Sequence, residues 1–187
     1  TMDELLNRLR EQKTKVGASD WVVGWGYDDT QIKEQRHPTR DDLDQISTTQ
    51  PIFINHISAH FAVANSAALA LAGITRDTPD PSGGAIRRDA SGEPTGVLDE
   101  TAVQLVSAYK PGYTTTQVQA GIAAAARQYA SQGVTTASEG ASYAPAIAAL
   151  ETAAQSGALP IRVMALPTFG YRQGVDQLSL KSGKVKI

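Results

Sequence analysis

Three histidines are the side chains of this sequence best able to move a proton or hold a metal ion near neutral pH: His37, His56 and His60. His56 and His60 are four apart, a spacing that places two imidazoles on one face of a helix, as in helical metal-binding motifs. The preceding residues, Pro51-Ile52-Phe53-Ile54-Asn55, favour a strand instead, and no acidic residue lies between the two histidines. The pair therefore reads as one surface histidine and one that hydrogen-bonds locally. His37 precedes Pro38 and reads as a turn residue.

The carboxylates gather at Asp28-Asp29, at Asp41-Asp42 with Asp44, and at Asp99-Glu100. Paired carboxylates do acid–base chemistry when burial or a neighbour separates their pKa values. Each of these clusters falls at a turn or a helix start, where a carboxylate favours the positive end of the helix dipole, so all three read as structural. Glu139 differs. It follows the strand-like run Val134 to Ser138, at the C-terminal end of a parallel strand, which in barrel enzymes is the active-site rim. Cysteine is absent, which excludes disulfides, thiolate metal sites and a cysteine nucleophile. Ser82-Gly83-Gly84-Ala85 follows no strand and opens no helix, so it is no phosphate loop, and no serine sits in a nucleophile elbow.

Apolar spacing predicts a helix over 3–16, built on Leu5, Leu6, Leu9 and Val16. A strand is expected at 21–25, with a polar turn after it. A helix then follows Thr39, capped by that residue with Asp42 three positions on. Pro51 to Ile57 is β-rich, and Ser66 to Ala72 is helical, closed by Gly73. Asp89-Ala90-Ser91-Gly92 is a hairpin-type turn between short strands. Beyond it the reading is helix 99–109, helix 115–132, strand 134–138, helix 142–156 and strand 161–166. That alternation is the pattern of βα units around a parallel sheet. The division expected is a helix over 1–17, a small α+β unit over 18–98, and a βα segment over 99–187 that ends on the first residues of a new strand.

The chain of 187 residues, 41% apolar and 19% charged, has the composition of a globular protein. A net charge of −2 gives no case for a nucleic-acid partner, and Arg76, Arg87 and Arg88 are interspersed with Asp77, Asp80 and Asp89. No apolar run is long enough for a membrane span. Thr1-Met2-Asp3-Glu4 shows no signal-peptide pattern, and localisation, cytoplasmic or exported, stays undetermined.

Six stretches in order carry a family resemblance. They are Trp21 to Asp28, Arg36 to Asp44, His60 to Leu69, Asp77 to Gly84, Asp89 to Leu98 and Gly133 to Thr136. Together they resemble amidohydrolase family 3, the branch that includes N-substituted formamide deformylases. The resemblance implies a metal-dependent hydrolase on a distorted barrel. The fold class expected is thus α/β, a partial (β/α)8 TIM-barrel segment with an inserted small α+β unit. The family's His-x-His pair and later metal ligands have no match here. Gly183-Lys184-Val185-Lys186-Ile187 resembles the start of the strand motif whose lysine can be carboxylated to bridge two metals, which makes Lys186 a candidate metal ligand. His60 falls on a family motif position near the active-site mouth, and His60 and Glu139 are the substrate-proximal candidates. The full-length protein would bind a divalent metal, zinc first among them, and hydrolyse a C–N bond in an amide, formamide or cyclic amide. This segment by itself would be inactive, hold no metal and self-associate. The alternative is a non-enzymatic binding module, with Tyr109 and Tyr113 on its rim.

Overall fold

The computed structural model describes residues 1–168 and 185–186, and the chain divides into two compact units, Thr1–Pro111 and Gly112–Ile187. Its helices start where the sequence supplies caps. Thr1 with Glu4 closes a capping box on α1 (Met2–Lys13), and Thr39 with Asp42 does so on α2 (Arg40–Asp44).

In the first unit β1 (Val22–Tyr27) runs parallel to β2 (Ile52–His56), with α2 in the crossover. β3 (Phe61–Ala64) turns back antiparallel to β2 and leads into α3 (Ser66–Leu71). The hairpin of β4 (Gly84–Arg88) and β5 (Pro94–Glu100) completes the sheet in the order β1-β2-β3-β5-β4, and α4 (Ala102–Ser107) follows.

Period-two alternation splits the core in two. Val22, Ile52, Ile54, Val63 and Val97 pack with Leu6 and Leu9 of α1 and Leu43 of α2. Phe53, Ala62, Ala64, Leu98 and Ile86 pack with Leu69 of α3 and Val106 of α4. Burying a side chain the size of Phe53 or Leu43 stabilises the unit by about 1.5–3 kcal/mol.

The second unit holds α5 (Thr115–Ser131), β6 (Thr136–Ser142), α6 (Ala144–Gln155), β7 (Arg162–Pro167) and β8 (Val185–Lys186). Its sheet is parallel, in the order β6-β7-β8. Thr114 and Gln117 box the start of α5, and Gly133 takes the positive φ of 79° just past its end. Ile147, Leu150 and Ala153 of α6 pack with Ile161, Val163 and Ala165. The mixed α/β architecture is the expected one. Among the described residues no helix is long and apolar enough to cross a membrane.

Several bounds differ from the sequence reading. The four-residue β3 lies where no element was expected. Residues Asp99 and Glu100, read as a helix start, are the last residues of β5, and the helix begins only at Ala102. Backbone pairing decides this: Asp99 faces both Phe61 of β3 and Ala85 of β4.

Candidate functional site

Register aligns one polar and aromatic row across the whole first sheet. Tyr27 of β1 is paired with His56 of β2, and Asn55 with Ala62, which sets His56 beside Phe61 at the start of β3. Phe61 is paired with Asp99 of β5. Arg87 of β4 donates from Nε to Asp99 Oδ2 at 3.0 Å, and its guanidinium lies 5.2 Å from the centre of the Phe61 ring. The row prolongs the face that carries Ile54, Val63 and Val97, at the end where parallel β1 and β2 both finish. His37 closes over it from the loop before α2. Its ring centre is 5.1 Å from Phe61, 5.8 Å from His56 and 5.9 Å from Tyr27.

Asp29, in the turn after β1, sits between the half-buried imidazole of His37 and the buried one of His56. Its Oδ1 is 3.0 Å from His56 Nε2 and 3.9 Å from His37 Nδ1. His37 Nδ1 also shares a 3.0 Å hydrogen bond with the Tyr27 hydroxyl. Burial, with the Asp29 charge adding to it, pushes the Tyr27 phenol far above its usual range, so it stays protonated. Burial also lowers the His37 pKa, against the opposing pull of Asp29.

The sign of the consequence follows from linkage. The unfolded chain takes up a proton on this imidazole that the folded chain resists, so stability falls as pH drops below about 6.5. Urea titrations at pH 7.5 and pH 5.5 should show a loss at the lower pH. A His37→Asn variant should lose less over the same interval, and an equal loss in both proteins would remove His37 as the cause.

Asp28, Asp29 and His56 each bring a possible ligand atom within 4.8 Å of the others, close enough to test for a metal. Asp28 already spends Oδ1 on the backbone N–H and hydroxyl of Thr30. His56 Nδ1 accepts the backbone N–H of Ser58 at 3.1 Å and lies 2.7 Å from Ser58 Oγ. A neutral imidazole whose Nδ1 accepts carries its proton on Nε2, the atom a metal would need free. Nε2 is buried and close to Asp29, though off the line of a good hydrogen bond. The trio fits an acid–imidazole pair, and it does not fit a metal.

The turn Ile57 to Ala59 separates His56 from His60, so they do not share a helical face. His60 is exposed, and its Nδ1 lies 3.0 Å from both Oε1 and Oε2 of Glu100. The Glu100 backbone N–H donates to His60 O at 2.8 Å, and the His60 N–H donates to Ser58 Oγ at 3.2 Å. Glu100, read from the sequence as part of a helix start, is thus the partner of His60. Asn65 lies on the same motif as His60 but is not its partner. It is fully buried, caps α3 and binds the segment 47–52.

Of the remaining acidic residues, Asp42 and Asp44 are structural, as expected. Burial raises the Asp42 pKa, but the Arg36 guanidinium and the Thr39 N–H and hydroxyl outweigh it and leave the carboxyl below its ordinary value. Asp44 ties α2 to the start of α3 through the Ser66 N–H and hydroxyl.

Glu139 is exposed within β6, paired with Ala165, rather than beyond the strand's end; the register shifts between it and Ser142. Lys186 stands in β8 opposite Met164, and its side chain lies outside the described residues.

The row was missed in the sequence because each member stands on a different strand. The signal available was the polar or aromatic residue at or next to the end of each apolar strand: Tyr27, His56 and Asp99.

Comparison with known proteins agrees over nearly the whole chain. Residues 1–185 match the model of the amidohydrolase family. The amidohydrolase YtcJ of Bacillus subtilis is 35% identical over 186 residues, 97% of this chain and 35% of that protein. An N-substituted formamide deformylase of Arthrobacter pascens is 43% identical over 106 residues, 57% of this chain and 20% of that protein. A crystal structure of an uncharacterized metal-dependent hydrolase from Pyrococcus horikoshii superposes with a TM-score of 0.65 at 24% identity. It takes in 100% of this chain and 36% of that one, and the likeness is one of fold. The chain therefore spans about a third, or less, of the length of these relatives.

Proposed function

The chain belongs to the amidohydrolase family, and on that premise we propose that it is one segment of a metal-dependent hydrolase acting on C–N bonds of amides, formamides or cyclic amides. The match over residues 1–185 carries this reading. The share of each relative that is covered supports reading the chain as a segment without activity of its own. The parallel β6-β7-β8 sheet with α5 and α6 is compatible with a piece of a (β/α)8 barrel, and residues 18–98 would be the inserted α+β unit.

A divalent metal, zinc by the chemistry of such sites, would supply Lewis acidity and a bound water of lowered pKa. Within this chain Lys186 is the candidate to hold it as a carbamate. Asp28, Asp29 and His56 are disfavoured, because His56 Nδ1 accepts from the Ser58 N–H and so leaves the ring proton to Nε2. His60 and Glu139 are the residues proposed to face substrate, and a small amide is the proposed partner.

The test is turnover of N-formyl amines and cyclic amides by the full-length protein and its His60→Ala variant. Turnover should drop by roughly two orders of magnitude, the scale of one lost acid–base group, with metal content unchanged. Loss of metal or of fold together with activity would count against a substrate-facing His60.

A further inference from the structure

We propose that Glu100 is a positioning residue for His60, holding the imidazole with Nδ1–H toward its carboxylate and the Nε2 lone pair left as a proton acceptor. This rests on the hydrolase reading for its chemistry, but not for its geometry. A carboxylate is an acceptor only, so the nitrogen between its two oxygens must donate. That fixes the tautomer of His60 opposite to that of His56, whose Nδ1 accepts from Ser58.

Ser58 links the two residues: its hydroxyl lies 2.7 Å from His56 Nδ1 and accepts the His60 backbone N–H, while the His60 ring itself is held by Glu100. His56, in the row, then carries its proton on a buried Nε2, and His60, outside it, keeps a lone pair on Nε2. The His60 side chain remains 62% exposed.

Backbone energetics argue that the pair does not exist for stability. Glu100 has φ of 52° and Ala59, immediately before His60, has φ of 64°. A left-handed backbone is costly for a non-glycine residue, whereas an exposed ion pair contributes little. Two strained residues flanking one exposed pair cost more than the pair gives back, the balance found where strain serves a site. Glu100 is the last residue of its strand, and alternation alone turns it from the face on which Asp99 meets Arg87.

In a hydrolysis the acceptor takes a proton from the attacking water as its oxygen bonds to the carbonyl carbon. The same Nε2–H is then returned to the departing nitrogen as the C–N bond breaks, and the imidazole ends neutral.

The experiment is nitrogen NMR of the full-length protein labelled at its histidine rings, above the imidazole titration range, with His60 identified by a His60→Gln variant. His60 should carry its proton on Nδ1. Glu100→Ala should give a mixture of tautomers, and Glu100→Asp should restore part of the Nδ1–H form. With an N-formyl amine as substrate, Glu100→Ala should lower kcat roughly 10-fold to 100-fold with KM held. The double variant with His60→Ala should be no slower than His60→Ala alone.

A wild-type His60 protonated on Nε2 overturns the proposal whatever the activity. So does an active enzyme whose kcat is unmoved by Glu100→Ala. A protein that cleaves no amide yet shows the Nδ1–H tautomer counts against the hydrolase reading and upholds the positioning by Glu100.

Discussion

Replacing Asn65 with alanine should destabilise the Thr1–Pro111 unit by roughly 4 kcal/mol, a large share of what a domain of this size possesses. The side chain is fully buried and uses all four of its hydrogen-bonding positions. Oδ1 accepts from Ile52 N at 2.9 Å and Ala68 N at 3.0 Å, while Nδ2 donates to Ser47 O at 2.7 Å and Gln50 O at 3.0 Å. Removing it takes the cap from α3, worth about 1 kcal/mol. It also strands backbone groups of the segment that leads into β2, at about 1–3 kcal/mol for each one left unsatisfied.

An Asn65→Asp variant separates the two contributions. Aspartate caps as well as asparagine does, so if capping were the whole role the change would be nearly silent. Here it would face two carbonyl oxygens with a buried charge, and the loss should match that of alanine or exceed it. Both tryptophans, Trp21 and Trp25, lie in this unit, so their fluorescence in a urea titration reports it alone. A midpoint unchanged in the aspartate variant would contradict the buried-anchor role.

Gly96→Ala should be as damaging, for a steric reason. Gly96 has φ of 91°, which disfavours any side chain. A Cβ there would run into Ala64 O and stand 2.8 Å from Arg40 N. Neither neighbour can give way easily, because the first is backbone of the strand end and the second opens α2. The expected cost is roughly 3 kcal/mol or more, read by the same fluorescence titration. A variant within about 0.5 kcal/mol of the parent would show that β5 and α2 approach less closely than described.

How far the sequence foretells this molecule depends on the range of the interaction. Local chemistry was legible. The Thr39–Asp42 box, the turn at 89–92, the Gly73 terminus and the start of α5 each rest on residues a few positions apart. The family was legible too, because its motifs are themselves short segments.

What could not be read was anything set by strand register. The cross-sheet row joins Tyr27, His56, Phe61, Asp99 and Arg87, which are spread over about 70 residues and meet only once five strands have paired. Asp99-Glu100 has the composition of a helix start, and only the ladder with β3 and β4 makes it a strand end. Glu100 could not be matched to His60 for the same reason, since forty residues separate them. The separation of His56 from His60, by contrast, was legible, because Ile52 to Asn55 follow their β preference.

The most direct test of a metal-dependent hydrolase is the metal stoichiometry of the full-length protein, by elemental analysis, beside its Lys186→Ala and Asp29→Asn variants. About one or two transition-metal ions per chain are expected in the intact protein, fewer in Lys186→Ala, and the full complement in Asp29→Asn. A full-length protein that holds no metal even after reconstitution would contradict the hydrolase reading, and metal lost only from Asp29→Asn would move the site to the end of β1 and β2.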